Sequence, residues 1–144
     1  MAIAAGLKKL FNKHKVDYQL LYYKETTSLY RAASYLNVPA SSFVKSLVLH
    51  DKIGYVLVVL PLNAKIDYLK LKQKLNRNLH VLPDVKAKKI FHDCNANNFP
   101  PFGKPYKIDV IVDYAVKKID KVCFSAGSDS SVVEMKISDF LYIN

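Results

Sequence analysis

The 144-residue sequence lacks a long hydrophobic run, a dense set of cysteines and any internal repeat or low-complexity segment. Its longest apolar run, Tyr55–Leu60, has the length of a strand and is far shorter than the roughly 18 residues that a membrane helix needs. At the N-terminus, Lys8 and Lys9 follow the small apolar stretch, whereas a secretory signal places its charges first. These absences predict one soluble domain spanning residues 1–144, with no membrane among its partners.

The two cysteines, Cys94 and Cys123, are too few for a disulfide-stapled secreted fold, and a reducing cytoplasm is the expected location. The pair His92-x-Cys94 is not followed by a second pair of ligands at zinc spacing, so no metal is expected. A P-loop, a Gly-x-Ser-x-Gly elbow and a dinucleotide fingerprint are also missing, and no cofactor is expected.

Negative charge is scarce. The 22 Lys and Arg residues outnumber the 12 Asp and Glu residues and give a formal net charge of +10. An excess of this size attracts anionic partners over long range, and nucleic acid is the leading candidate. Net charge does not define a site, however, so a basic protein with no such partner fits the composition as well.

Periodicity and turn formers predict an α+β protein in which helices and strands are interspersed. Helices are predicted at Leu7–His14, from a Thr27 or Ser28 cap to about Leu36, at Ile66–Leu75, at Asp84–Phe91 and, as a single turn, at Ser138–Leu141. Strands are predicted at Tyr18–Tyr22, Val44–His50, Tyr55–Leu60, Ile108–Val112, Lys121–Phe124 and Val132–Lys136. A hairpin is expected to join the second and third strands.

Lys45 is the most informative single residue of the sequence. In a strand, its side chain shares a face with Leu47 and Leu49. A cation on an apolar face is costly unless an anion or a preformed polar pocket receives it, which indicates a binding site. The alternative is that Lys45 lies near the start of its strand and extends its ammonium group into water.

Two segments of turn formers are further candidates for a site. The segment Asn97-Asn98-Phe99-Pro100-Pro101-Phe102-Gly103 predicts a stiff loop whose N–H groups can point at a carbonyl or a phosphate. Ala126-Gly127-Ser128 follows an apolar strand and predicts a tight turn that a ligand can approach closely. An ordinary rigid connection and a plain turn are the respective alternatives.

The order of these pieces resembles the YbaK/ProX family of aminoacyl-tRNA editing deacylases, also called prolyl-tRNA synthetase-associated editing domains. The matching segments, between about Val16 and Phe140, are Val44–Leu49, Tyr55–Pro61 with Asn63 and Asp67, Phe91–Cys94, Pro100–Gly103, Val112-Asp113 and Phe124–Ser128. The resemblance implies a mixed six-stranded β-barrel-like sheet flanked by helices. It also implies hydrolysis of the ester that joins a wrong amino acid to its tRNA, often the tRNA for proline.

In the family, a strand lysine matching Lys45 and a Gly-x-x-x-Pro loop define the pocket. That loop is Asn97-x-x-x-Pro101 here, and Asn is the residue best able to adopt the left-handed conformation of the glycine it replaces. Many relatives also place a histidine after the Ala-Gly-Ser turn, where this chain has Asp129.

With this pocket as the site, particular residues are given roles as a hypothesis. Lys45 would bind the acceptor end of the tRNA or the ester oxygen, and N–H groups of the two turns would stabilise the developing oxyanion. The expected catalytic residues are Lys45, Gly103 and Ser128. The expected substrate-binding residues are Tyr30, Ser46, Asn97, Pro101, Phe102, Gly127 and Asp129. Contacts to the tRNA backbone are expected from Lys70, Lys74, Arg77 and Lys88, although solvated helix faces explain these cations as well.

Three functions follow as hypotheses. The first is a monomeric trans-acting deacylase that removes a small amino acid such as cysteine or alanine, with tRNA and prolyl-tRNA synthetase as partners. The second is a non-catalytic tRNA-binding or synthetase-associated module with a degenerate pocket, which the departures at Asn97 and Asp129 keep open. The third, a basic scaffold for protein partners, predicts no amino-acid-sized pocket beside Lys45.

Overall fold

The computed structural model describes residues 2–94 and 98–144. In these residues the helices are α1 (Ala5–His14), α2 (Leu29–Tyr35), α3 (Tyr68–Leu75), α4 (Asp84–Ile90) and α5 (Ile137–Ile143). The strands are β1 (Gln19–Tyr22), β2 (Val44–His50), β3 (Tyr55–Pro61), β4 (His80–Val81), β5 (Asp109–Val112), β6 (Lys121–Ser128) and β7 (Ser131–Lys136). The predicted α+β class is confirmed. None of the described helices is long and apolar enough to cross a membrane.

The strands form two sheets. One has the order β4-β2-β3-β5 and the other has the order β1-β7-β6. Strands β3 and β5 run parallel, whereas the other neighbours run antiparallel. A parallel bridge between Phe43 and Cys123 joins the sheets. The predicted mixed sheet is therefore present, but it is divided into sheets of four and three strands instead of forming one six-stranded barrel-like sheet.

The first strand of the chain pairs with the last one. In the antiparallel ladder between β1 and β7, Gln19 lies opposite Glu134 and Tyr22 lies opposite Ser131. Segments near the two ends of the sequence are thereby held side by side.

The hairpin between β2 and β3 was predicted, and its turn is built on one carboxylate. Asp51 Oδ1 accepts hydrogen bonds from the N–H groups of Ile53 (2.9 Å) and Gly54 (3.1 Å). From Val56 to Pro61, β3 is buried on both faces, as its unbroken apolar sequence predicts. Val56, Val58 and Leu60 pack on the side of α3, and Leu57 and Val59 pack into the main core.

Local capping fixes where two of the helices begin. Ser28 Oγ accepts a hydrogen bond from Arg31 N–H at 3.3 Å, which confirms the predicted cap of α2. Asp67 Oδ1 accepts one from Lys70 N–H at 3.0 Å. Because Asp67 is the cap, α3 begins at Tyr68, two residues after the predicted start.

The predicted turn at Ala126–Ser128 is wrong. Strand β6 continues to Ser128 with an irregular register between Ser125 and Ser128, and the turn to β7 lies at Asp129 and Ser130. Gly127 makes the irregularity possible because its φ is 90°, which other residues rarely adopt. The segment thus belongs to the buried sheet.

Candidate functional site

A cavity of about 320 Å³ lies beside Lys45, along β2 where β4 does not extend. Strand β4 pairs only with Leu49 and His50 of β2. The first half of β2 is therefore not paired with β4. We call this space the Lys45 cavity. Its apolar lining includes Leu47, Leu62 and Phe99. Its polar lining residues are Ser28, Tyr30, Lys45, Ser46, Asp84 and Asn98. Three predicted site residues, Tyr30, Lys45 and Ser46, are therefore brought together.

Lys45 is half-buried in the wall of this cavity. Burial lowers the pKa of its ammonium group, and the positive charge of Lys65 lowers it further. Within the described residues, no carboxylate lies at ion-pair distance from Lys45, since the only such pair there joins Arg77 to Asp51. A partly desolvated cation without a protein anion is suited to receive an anionic group from a ligand.

The loop beside the cavity is fixed by three hydrogen bonds. Ser46 Oγ donates to the Phe99 carbonyl at 2.6 Å, and Ser125 Oγ donates to the Asn98 carbonyl at 3.0 Å. Asn98 Nδ2 donates to the Thr27 carbonyl at 2.7 Å, immediately before the cap of α2. The Ser46 side chain therefore positions a wall of the cavity.

The backbone of Ser46 also faces the cavity side of β2. The Phe43 carbonyl accepts from Leu62 N–H at 2.8 Å, which shows that odd-numbered residues of this strand bond to β3. The Val48 carbonyl points the other way and accepts from Leu82 N–H at 2.8 Å. By the same alternation, Ser46 N–H and C=O face the edge that β4 leaves uncovered.

The remaining polar lining comes from two helices. The Tyr30 hydroxyl donates to the Leu62 carbonyl at 2.7 Å, so the tyrosine is anchored across the cavity from its helix to the end of β3. Asp84, at the start of α4, is the only acidic residue among the described lining residues, and Lys45 is the only basic one. Sequence reasoning missed Asp84 because its place in the cavity lining depends on how β4 and α4 pack.

Three residues of the predicted proline loop lie in the core and not in the cavity lining. Phe102 is fully buried among aromatic rings, with ring centroids 5.5 Å from Phe11 and 5.2 Å from Phe124. The Pro101 carbonyl accepts a hydrogen bond from Asn144 Nδ2 at 2.8 Å. At Gly103 an added Cβ would overlap the carbonyl oxygen of Ile108, so close packing explains this glycine.

The residues of the second predicted turn are also outside the lining of the cavity. Gly127 N–H donates to Ser125 Oγ at 3.2 Å, and the Ser128 and Ser130 hydroxyls are hydrogen-bonded at 3.2 Å. Asp129 lies in the turn before β7; burial raises the pKa of Tyr23 to about 12, and the charge of Asp129 contributes. Asn97 lies outside the described residues. The roles assigned to these residues stay predictions.

The four predicted tRNA-backbone cations lie in three places. Lys70 and Lys74 line a groove beside α3, and Lys88 is exposed on α4. Arg77 instead holds Asp51 through two hydrogen bonds of 2.7 and 2.6 Å, and these bonds lower the pKa of that carboxyl group. Arg77 therefore stabilises the β2–β3 turn.

The segment around Asp93 ties α1 to the loop that follows α4. The Asp93 carboxylate accepts hydrogen bonds from Gly6 N–H (2.7 Å) and from the Tyr106 hydroxyl (2.8 Å). Burial would raise the pKa of Asp93, but these bonds outweigh it and hold the pKa below its usual value. Burial raises the pKa of the neighbouring Cys94 thiol to about 12. In the described residues no group of three or more His, Cys, Asp or Glu side chains is placed to hold a metal ion.

A comparison with protein-family models finds one for the aminoacyl-tRNA editing domain that matches residues 24–143. No curated protein sequence matches the chain.

Solved structures share the fold. The hypothetical protein APE2540 is 20% identical, with a TM-score of 0.86 over 96% of this chain and 93% of that one. A candidate signal transduction protein from Marinobacter aquaeolei VT8 is 13% identical, with a TM-score of 0.78 over 96% of this chain and 28% of that one. A candidate trans-editing enzyme for prolyl tRNA synthetase is 14% identical, with a TM-score of 0.72 over 96% of this chain and 86% of that one.

Proposed function

The chain belongs to the aminoacyl-tRNA editing domain family, and on that premise we propose that it is a trans-acting aminoacyl-tRNA deacylase whose reaction takes place in the Lys45 cavity. Its substrate is a mischarged tRNA, with the tRNA for proline as the first candidate because a structural neighbour is described as a candidate trans-editing enzyme for prolyl tRNA synthetase. The observation that carries the proposal is Lys45 itself, a partly buried cation that faces a cavity and lacks a carboxylate partner among the described residues.

The size of the cavity favours a small aminoacyl group. Its volume of about 320 Å³ is at the lower end of the roughly 300–1,000 Å³ typical of small-molecule sites. The partly apolar lining, with Leu47, Leu62 and Phe99, suits a short side chain such as that of alanine or cysteine.

Lys45 would act on negative charge. Water is partly excluded around its ammonium group, so the attraction to an oxyanion or a phosphate is stronger there than at an exposed lysine. Hydrolysis of an ester builds negative charge on the carbonyl oxygen in the transition state, and a preorganised donor at that oxygen lowers the barrier. Ser46 N–H faces the same cavity and is a second candidate donor.

Asp84 supplies the complementary charge. An aminoacyl ester carries an α-ammonium group, and Asp84 is the one carboxylate among the described lining residues. We assign Asp84 to bind this ammonium group while Lys45 faces the ester or the adjoining ribose and phosphate. The two charges would then orient the substrate.

The attacking group would be water or a hydroxyl of the substrate ribose. The described lining contains neither histidine nor cysteine, and the Ser46 hydroxyl donates to the Phe99 carbonyl instead of to a base. Both thiols of the chain lie elsewhere, and burial raises the pKa of Cys94 and of Cys123 to about 12, which keeps them protonated and unreactive.

The test is deacylation of the tRNA for proline charged separately with alanine, cysteine, serine and proline. We expect rapid release of one mischarged amino acid and a rate about a hundredfold lower in Lys45→Ala, because a lost oxyanion donor typically costs that much. Lys13→Ala, which removes an exposed lysine in the last turn of α1, is the matched control and should keep the wild-type rate.

Absence of release above the spontaneous rate from all four species would exclude the proline tRNA as substrate. If the same tRNA nevertheless bound tightly, a non-catalytic tRNA-binding module would become the better account. A wild-type rate in Lys45→Ala would remove Lys45 from the mechanism.

A further inference from the structure

A second concave surface lies between α3 and the segment that follows β5, and we call it the α3 groove. Its volume is about 290 Å³. The floor is apolar and is formed by side chains that include Leu60, Leu71 and Ile111. Three exposed lysines, Lys65, Lys70 and Lys74, line it. An apolar floor beside several cations suits a ligand that is both flat and anionic.

The acidic residues of the groove are already engaged. Asp67 Oδ1 accepts the N–H of Lys70 at 3.0 Å and Asp113 Oδ1 accepts the N–H of Ala115 at 3.1 Å, so each caps a helical segment. Among the described residues, neither carboxylate forms an ion pair with a lysine of the groove. The lysines therefore remain available to an external anion.

An exposed aromatic ring completes the groove. Tyr114 is 69% exposed and belongs to the lining, and Lys118 Nζ lies 4.9 Å from the centroid of its ring. Aromatic faces next to basic side chains are the usual platform on which single-stranded nucleic acids stack their bases. Single-stranded RNA uses the ring and the cations together, with a base on the ring and a phosphate on the lysines, and we take it as the occupant.

The groove and the Lys45 cavity are lined by neighbouring residues of the paired strands β2 and β3. Lys45 lies directly opposite Leu60 in the β2–β3 ladder, and Leu60 is part of the floor of the groove. Lys65 lines the groove and is close enough to Lys45 to lower its pKa. A chain of phosphates can thus pass from one site to the other along lysine side chains.

We propose that the α3 groove binds a nucleotide of single-stranded RNA, with its base stacked on Tyr114 and its phosphate facing Lys70 and Lys74. The assignment of this RNA rests on the proposed function: it is the unpaired 3′ end of the substrate tRNA, whose aminoacylated terminal nucleotide enters the Lys45 cavity. Lys65 contacts the backbone between the two sites.

The experiment compares Tyr114→Ala with Tyr142→Ala. Both tyrosines are 69% exposed, but Tyr142 lies on α5 near His14 and outside the groove. Binding of a fluorescently labelled, uncharged single-stranded RNA hexamer ending in CCA is followed by anisotropy at one fixed salt concentration. We expect about tenfold weaker binding for Tyr114→Ala, the typical effect of losing one stacked base, and unchanged binding for Tyr142→Ala and Tyr114→Phe.

Equal affinities for Tyr114→Ala and the wild type would overturn the proposal, as would an equal loss in both alanine variants. The RNA probe carries no ester, so the result does not depend on hydrolysis. If the wild type deacylates tRNA and Tyr114→Ala shows the same KM, the groove proposal fails and the proposed function stands. If Tyr114→Ala alone loses the RNA while the wild type never deacylates, the groove proposal stands and the proposed function fails.

Discussion

The Lys45 cavity and the α3 groove have similar volumes, about 320 and 290 Å³, yet they present positive charge in opposite ways. In the cavity, a single lysine is half-buried and burial lowers its pKa. In the groove, three lysines are exposed to water. A desolvated charge acts strongly at short range, whereas exposed charges act weakly and are screened by salt. The contrast fits the two proposals, which assign ester hydrolysis to the cavity and binding of the RNA backbone to the groove.

After the hundredfold loss expected for Lys45→Ala, the next largest effect should come from the acidic side of the cavity. In Asp84→Asn, the α-ammonium group loses its charged partner, so discrimination between an aminoacyl-tRNA and its N-acetylated counterpart should fall by about tenfold. The measurement is the ratio of kcat/KM values for the two substrates in each protein. Asp113→Asn, which changes a carboxylate of the groove instead, should keep the wild-type ratio. An unchanged ratio in Asp84→Asn would assign the ammonium group to another partner.

A smaller effect is expected from the lysines of the groove. Lys70→Ala or Lys74→Ala should weaken RNA binding a few-fold and reduce the slope of log K against log salt concentration by about 0.7 each, as one phosphate contact to a single strand is lost. Titrations of the RNA hexamer at several salt concentrations give the slope. Lys13→Ala, on α1, is the control for an exposed lysine elsewhere. Slopes equal to that of the wild type would mean that these lysines do not contact phosphate.

The smallest effect concerns the coupling between the two sites. The positive charge of Lys65 disfavours the protonated form of Lys45 and so lowers its pKa. Lys65→Met should therefore raise the pKa of Lys45 towards the ordinary lysine value. The active protonated form is lost as pH rises through that pKa, and the alkaline limb of the deacylation rate should therefore move to higher pH. The rate is measured against pH after subtraction of spontaneous ester hydrolysis. A limb that stays in place or moves to lower pH would contradict this coupling.

Much of the secondary structure could be predicted because its causes are local. Ser28 caps α2, and the apolar run of β3 is covered on both faces. The start of α3 was predicted two residues too early, because Asp67 was placed inside the helix and not recognised as its cap. Strand β4 was not predicted because two residues are too short to show alternation. The division into two sheets also escaped prediction, since it depends on pairing between segments that are distant in the sequence.

The residues of the site could likewise be predicted only where a local pattern marks them. Alternation along β2 was enough to single out Lys45 as a cation on an apolar face, and the structure places it at a cavity. Phe102 and Gly103 look like pocket residues in sequence because proline and glycine surround them. Their burial is decided by partners such as Phe11 and Ile108, which no local pattern reveals. Asp84 shows the opposite case: it lines the cavity, but no local sequence pattern marks it, because only packing brings its helix there.

The pairing of β1 with β7 has a consequence for how the protein is made. Strand β1 leaves the ribosome on the order of a hundred residues before its partner, so the three-stranded sheet cannot form until β7 has been synthesised. Until then Leu20 and Leu21 lack their pairing with β7, and an unpaired strand edge of this kind is prone to aggregation. An interrupted translation product that stops before Ser131 would keep the sequence of the Lys45 cavity but lack the strand that holds β1 in place.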